Sequence, residues 1–312
     1  MQLKFYLPDP QNGFYRGTRF DWSGVINSLQ YEGHDYYGPW FTKTDPQVID
    51  FVFAGDDIVA GPCSAITGPV EEFSTGAKAL GYDQAKPGGT FIKIGVGVLR
   101  RPDDRDYNPY RLYEIVDHGK WNVITKSDSI EFTQEVSDPA TGYGYRYVKT
   151  VRLIKGKPEM VLEHRLENTG RQPIQTSVYD HNFLVLDKQP VGPDYVVKVP
   201  FDIRAEHTEN GQLALIRDQQ FTYKRPLQGR DTVSASFMGF GKSSSDYRIT
   251  IENSKVGAGM KIAGDRPLSR ENLWSIRSVL AVEPFIDMSI TPGKEFSWKY
   301  SYSYYSIPQT IK

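Results

Sequence analysis

The clearest pattern in the chain is the alternation of aromatic and polar residues near its C-terminus. Over residues 296–304 every second residue is Phe, Trp or Tyr, and the residues between them are Ser or Lys. Because alternate side chains of a strand point to opposite faces, this pattern predicts a strand with one buried face. Tyr143–Leu153 and residues 160–168 alternate similarly, and the turn residues 155–158 between them predict a hairpin.

The remaining apolar segments also favour strands, whereas helical patterns are weak. Turn signals recur about every 8–12 residues, a spacing that is typical of a β-sandwich or barrel. Short helices are predicted only over residues 45–51 and 70–80. No linker, repeat or low-complexity tract appears, so we expect a single domain over residues 1–312. Further strands are predicted over residues 175–186, 195–203, 232–240, 247–253, 257–263 and 275–290.

Composition excludes several classes of partner. The 312 residues carry a formal net charge of −1 without a basic stripe, which argues against nucleic acid and membrane surfaces. The one cysteine, Cys63, is expected to be a buried thiol, and no apolar run approaches the roughly 20 residues of a membrane span. The N-terminus lacks the features of a signal peptide. A cytoplasmic protein and the mature form of an exported one both fit, so the compartment stays open.

Two segments carry candidate chemistry and resemble one known family. Residues 175–186 read Gln-Thr-Ser-Val-Tyr-Asp-His-Asn-Phe-Leu-Val-Leu, which resembles the histidine-containing strand of aldose 1-epimerases. Residues 280–293 contain a Val-Glu-Pro segment and a Thr-Pro-Gly turn, similar to the C-terminal part of the same proteins. Residues 23–34 resemble their opening hairpin. The order of these motifs indicates the galactose mutarotase-like superfamily, which includes aldose 1-epimerases and hexose-6-phosphate mutarotases.

The resemblance implies a fold and a catalytic pair. The fold is an all-β supersandwich of twisted antiparallel sheets with few short helices. Glu283 would be the base that deprotonates the anomeric hydroxyl, and His181 the acid that protonates the ring oxygen. The pKa values of a carboxylate and an imidazole can both be tuned toward neutrality, as this chemistry requires. We expect the two side chains on opposite sides of a sugar ring, several ångströms apart. Neither a metal nor another cofactor is expected.

Other residues are candidates for binding the substrate. Arg16 and Arg19 lie in a glycine-flanked polar and aromatic segment, and either guanidinium could hold sugar hydroxyls or a carboxylate. Related epimerases have a His-Gly-Gly string where this chain has Gly68–Phe73, so Glu71 and Glu72 are candidates there. Asn182 follows the candidate histidine. Two other groups, Asp180 and His164, are expected to be structural, the latter as a core histidine.

Three functions remain open at this point. The preferred one is an aldose 1-epimerase-like enzyme that acts on a sugar or sugar derivative, with a small molecule or an oligosaccharide as the partner. The second is a polysaccharide (uronate) lyase or another carbohydrate-modifying enzyme on the same fold; in a lyase, an arginine would neutralise the uronate carboxylate. The third is a carbohydrate-binding protein without catalysis. Fold alone does not decide among them.

Overall fold

The computed structural model describes residues 1–73 and 79–308, and it leaves aside the side chains of Glu206 and His207. Within these residues the chain is built almost entirely of strands, as the alternation predicts. The helical segments described are three-residue 3-10 turns, at Leu186–Lys188, Gly211–Leu213 and Ser244–Asp246. In this part of the chain no helix has the length and apolar character needed to cross a bilayer.

One large sheet contains ten antiparallel strands. The aromatic segment forms a central strand of this sheet, and the second strand of the predicted hairpin pairs with it. In spatial order the strands are β11 (Lys120–Thr125), β12 (Ser129–Asp138), β13 (Tyr143–Leu153), β14 (Glu159–Asn168), β25 (Glu295–Ser306), β22 (Ala258–Gly264), β21 (Arg248–Asn253), β16 (Tyr195–Lys198), β19 (Gln220–Tyr223) and β18 (Ala214–Arg217).

A second sheet contains six antiparallel strands and carries both candidate catalytic residues. In spatial order these are β17 (Arg204–Glu209), β20 (Thr232–Met238), β23 (Arg270–Ile276), β24 (Val279–Ile290), β15 (Ile174–Phe183) and β7 (Gly68–Phe73). Three small sheets complete the fold. They contain β1 (Gln2–Tyr6), β2 (Val25–Tyr31) and β3 (His34–Asp35); β4 (Lys43–Thr44), β6 (Asp57–Ala60) and β5 (Phe51–Ala54); and β8 (Thr90–Lys93), β9 (Gly97–Arg100) and β10 (Ile115–Asp117).

The main core lies between the two large sheets. The inward face of β25 buries Trp298, Tyr300, Tyr302 and Tyr304, each at most 2% exposed. Phe73 of the smaller sheet packs edge-on against Trp298 of the larger one, with ring centroids 6.1 Å apart. Burying these rings is the chief stabilising contribution of the strand pattern, since apolar area removed from water contributes about 25 cal/mol per Å².

Three details of the predicted secondary structure are wrong. Residues 70–73 lie in strand β7 rather than a helix, because they pair with β15, and residues 74–78 lie outside the described part of the chain. Residues 45–51 form turns followed by the start of β5. The strand predicted over 275–290 is β24 together with the end of β23. A tight turn at Arg277 and Ser278 separates the two, and its sequence contains neither Gly nor Pro, the strongest turn signals.

Candidate functional site

Strand register places the two candidate catalytic residues side by side. Strands β15 and β24 are antiparallel neighbours, with Tyr179 paired to Phe285 and, at the next contact along the strands, Leu184 bridged to Leu280. The same register sets His181 opposite Glu283. Directly opposed side chains in antiparallel strands have Cβ atoms roughly 4.5–5.5 Å apart, so the pairing itself brings the imidazole and the carboxylate together.

The imidazole and the carboxylate are in contact. Nε2 of His181 lies 3.2 Å from Oε1 of Glu283. The expectation that several ångströms separate the two groups is therefore wrong, because adjacent strands hold them from the same side. Their side chains are 4% and 14% exposed, so the pair is nearly buried and is reached through a cavity.

This cavity has a volume of about 350 Å³, at the lower end of the range for small-molecule sites. Its floor is the outer face of the six-stranded sheet, and its walls come from the N-terminal loops and the loop around residue 110. The lining residues include Arg19, Trp40, Asp50, Phe51, Ser64, Glu72, Tyr110, Tyr179, His181, Phe183, Ser234, Ser236, Arg270, Asn272, Trp274, Glu283 and Phe285.

Aromatic rings surround His181. The ring of Phe183 stacks on the imidazole, with centroids 3.7 Å apart and planes at 10°, and Phe20 meets it edge-on at 5.7 Å. Burial, and after it the positive charge of Arg19, lower the pKa of His181 well below its usual value. Its Nδ1 atom is buried and has no hydrogen-bond partner among the described residues. The imidazole is therefore predominantly neutral at pH 7.

The pKa of Glu283 is shifted in the opposite direction, upward. Burial raises its pKa to about 7, while the charge of Arg19 opposes that rise and the charge of Glu72 adds to it. Asn272, directly opposite Glu283 on β23, lowers the pKa by hydrogen bonding. A carboxyl group with this pKa exchanges protons readily near neutral pH, as a general acid or base must.

Arg19 is held in a fixed orientation beside the pair. Its Nε donates a hydrogen bond to Oε2 of Glu72 at 2.7 Å, and its Nη2 donates to the hydroxyl of Tyr179 at 3.1 Å. The Tyr179 hydroxyl donates in turn to Oε2 of Glu72 at 2.6 Å. Asp50 lies 3.8 Å from Nη1. The guanidinium is thus a rigid part of the cavity wall.

Comparisons with known proteins agree with this architecture. No protein-family model matches the chain, and no curated protein matches it in sequence. Among solved structures, the Slr1438 protein from Synechocystis sp. PCC 6803 is 12% identical, with a TM-score of 0.53 over 98% of this chain and 96% of that one. A galactose mutarotase related enzyme from Lactobacillus acidophilus is 13% identical, with a TM-score of 0.52 over 92% and 93%. A galactose mutarotase-like protein from Lactobacillus casei ATCC 334 is 12% identical, with a TM-score of 0.50 over 97% and 100%.

The chain has a galactose mutarotase-like fold. At 12–13% identity the likeness concerns the fold and carries no residue roles with it. The resemblance inferred from the order of the sequence motifs is confirmed at this level.

Three of the substrate-binding candidates lie away from the cavity of this mutarotase-like fold. Arg16 is exposed, donates to the backbone oxygen of Gln11, and lines a different depression. Glu71 points to the opposite face of β7 from Glu72, into the core, because neighbouring strand residues alternate. Asn182 alternates with His181 in the same way and accepts a hydrogen bond from the hydroxyl of Tyr302 at 2.8 Å.

The inward-pointing residues form a buried polar cluster. Glu71 forms an ion pair with Lys149 and a 2.7 Å hydrogen bond with Nε2 of His164, so His164 is the core residue that was expected. Lys149 and His164 hold the pKa of Glu71 low against the effect of burial. Asp180 accepts a hydrogen bond from Tyr302 and lies inside the core, with its pKa raised by burial.

Sequence reasoning missed several residues that line the cavity. Tyr179 and Phe183 share a strand face with His181, and the period of two along β15 was a usable signal for both. Arg270, Asn272 and Trp274 alternate in the same way, but the sequence pattern did not place a strand over them. No group of three or more His, Cys, Asp or Glu side chains suited to a metal ion occurs among residues 1–73 and 79–308.

Proposed function

We propose that the chain is an aldose 1-epimerase-like enzyme that interconverts the anomers of a free sugar or sugar derivative. The observation that carries the proposal is the contact between His181 and Glu283 at the floor of a cavity of monosaccharide size. The aromatic walls are suited to the C–H faces of a sugar ring, and the fold likeness supports a sugar as the substrate.

The pKa shifts define the working state of the pair. With the pKa of His181 lowered and that of Glu283 raised to about 7, the pair holds one shared proton near or just below neutral pH. Transfer of that proton across the 3.2 Å contact interconverts the neutral pair and the imidazolium–carboxylate pair. The second form contains the base and the acid that ring opening needs.

These two side chains then carry out every proton transfer of the reaction. The carboxylate of Glu283 takes the proton of the anomeric hydroxyl, and the bond from C1 to the ring oxygen breaks. The ring oxygen takes the proton from Nε2 of His181, which leaves an open-chain aldehyde and a neutral pair. After rotation about the C1–C2 bond, the same proton transfers run in reverse and close the ring as the other anomer.

The test is anomer exchange measured by NMR over a panel of free aldoses and sugar acids. Glu283→Gln and His181→Asn should each reduce the enzymatic rate by about 10²–10⁴-fold, the usual contribution of general acid–base catalysis. Glu163→Gln and His34→Asn are matched controls. Glu163 lies on the exposed side of β14. His34 is outside the cavity, and its Nδ1 lies 2.7 Å from Oδ2 of Asp187.

Three results would contradict the proposal. The first is anomer exchange that survives both cavity substitutions. The second is the formation of an unsaturated uronate from a polysaccharide, followed by ultraviolet absorbance and lost in the same two variants, which would favour a lyase. Sugar binding without turnover by the wild-type chain would favour a carbohydrate-binding protein.

A further inference from the structure

Arg270 is the first residue of β23 and lines the cavity two strands away from His181. Its partner in the strand register is Phe285, and its guanidinium carbon lies 3.7 Å from the centroid of that ring. Stacking on an aromatic face fixes the plane of the guanidinium and leaves its edge, where the N–H groups are, free to bind a ligand.

The guanidinium of Arg270 has no ion-pair or hydrogen-bond partner within the described residues. Its Nε is buried and unsatisfied. The terminal nitrogens are not among the buried unsatisfied atoms, and the residue lines the cavity, so its N–H groups are available to a ligand there.

The other cations at the site are already neutralised. Arg19 is paired with Glu72 and lies near Asp50. The ammonium of Lys93, fully buried behind the cavity, lies 3.6 Å from Oε1 of Glu72. Two cations therefore face two carboxylates in this part of the site, and no charge is left over for a ligand.

The remaining carboxylate of the cavity compensates Arg270 incompletely. Glu283 is in contact with His181 at 3.2 Å, and burial raises its pKa to about 7, so near neutral pH its carboxyl group is negatively charged only part of the time. The positive charge of Arg270 is therefore incompletely compensated, and its planar guanidinium lies over the ring of Phe285 in the cavity wall.

We propose that Arg270 binds the carboxylate of a sugar acid, so that the substrate of this cavity is a hexuronate rather than a neutral hexose. This inference rests on the proposed function for the catalysis but not for the binding. One guanidinium matches a planar, singly charged carboxylate in charge and geometry. A phosphate ester carries nearly two charges, and the cavity has no second uncompensated cation among its described residues to match it.

The inference is tested by binding and by turnover. The probes are D-glucuronate and D-galacturonate, their neutral counterparts glucose and galactose, and glucose 6-phosphate. Calorimetry measures Kd, and NMR measures anomer exchange for each sugar. At least one uronate should bind ten times or more tighter than its neutral counterpart and than glucose 6-phosphate.

Substitution of the arginine identifies the contact. Arg270→Gln should weaken uronate binding at least tenfold more than it weakens binding of the neutral sugar. Arg270→Lys, which keeps the charge without the fork, should recover part of the loss and also serves if the glutamine variant does not fold. The matched control is Arg266→Gln, because Arg266 also lies over a ring, 4.8 Å from the centroid of Phe296, but outside the cavity.

The outcomes separate this inference from the proposed function. Uronate binding that depends on Arg270, without anomer exchange of any sugar, supports the inference and contradicts the epimerase. Exchange of neutral sugars with no preference for uronates overturns the inference and leaves the epimerase intact. Tighter binding of glucose 6-phosphate than of either uronate also overturns the inference. So does an Arg270→Gln variant that loses affinity for uronates and for neutral sugars equally.

Discussion

Nε of Arg19 and Oε2 of Glu72 are 2.7 Å apart in a part of the cavity wall where the arginine side chain is 10% exposed and the glutamate is fully buried. An ion pair in such a place behaves differently from one at the surface. Removing one partner leaves the other as an uncompensated buried charge, and this loss commonly costs about 3–5 kcal/mol.

We therefore expect Glu72→Gln to lower the free energy of unfolding by about 3 kcal/mol, measured by urea denaturation at pH 7. The matched control is the surface pair of Arg165 and Glu295, 3.3 Å apart and about half exposed. Glu295→Gln should change stability by less than about 1 kcal/mol, since exposed pairs contribute little. Equal effects of the two substitutions would contradict the buried role of Glu72.

The Lys149–Glu71 pair predicts non-additive effects in the core. Lys149 is 1% exposed, forms an ion pair with Glu71, and lies 4.0 Å from Asp21. Lys149→Met should destabilise the chain by about 3–5 kcal/mol, because it removes the ammonium group that compensates the buried carboxylates of Glu71 and Asp21. Adding Glu71→Gln should recover about 1–2 kcal/mol in the double variant. A double variant whose loss equals or exceeds the sum of the two single losses would show that the groups are not coupled as a pair.

Glu271 predicts a dependence of stability on pH. It is fully buried, neither of its carboxyl oxygens has a partner among the described residues, and burial raises its pKa from 4.5 to about 8. Since the folded state binds the proton more tightly, its stabilising contribution is complete below pH 4.5. That contribution declines as the pH rises and is lost once the pH passes about 8.

The measurement is the difference in unfolding free energy between the wild type and Glu271→Gln at several pH values. Glutamine cannot ionise, so the difference should shift by about 4 kcal/mol in favour of the variant between pH 4.5 and 8. Other titrating groups cancel in this comparison. A difference that stays constant with pH would mean that the carboxyl group is solvated in the folded chain.

The pair of His181 and Glu283 predicts the pH dependence of activity. The working state holds one proton, so kcat/KM should fall as the pH rises through about 7, where Glu283 releases it. It should fall again well below pH 6.5, where His181 also becomes protonated. The optimum is thus expected on the acidic side of neutrality. The measurement is NMR exchange corrected for the spontaneous rate, and a rate that keeps rising up to pH 8 would contradict the shared proton.

Much of the fold was predictable because strand faces are a local property. The alternation over residues 296–304 and Tyr143–Leu153 was sufficient to predict which side chains are buried, since the period of two is a consequence of backbone geometry alone. The order of the motifs around His181 and Glu283 predicted the fold that the comparisons show. The opposite orientations of Glu71 and Glu72 were not predicted, because a helix was expected over residues 70–80; they follow from the pairing of β7 with β15.

The assembly of the site was decided by tertiary structure alone. The sequence places His181 and Glu283 about 100 residues apart, and no local pattern states that β15 and β24 are neighbours in one sheet. Their direct contact, which the sequence did not predict, follows from that pairing and its register. The pairing of β23 with β24 brings Arg270 onto Phe285 for the same reason. A strand's own residues determine its faces, but strand order and register depend on contacts between segments that are distant in the chain.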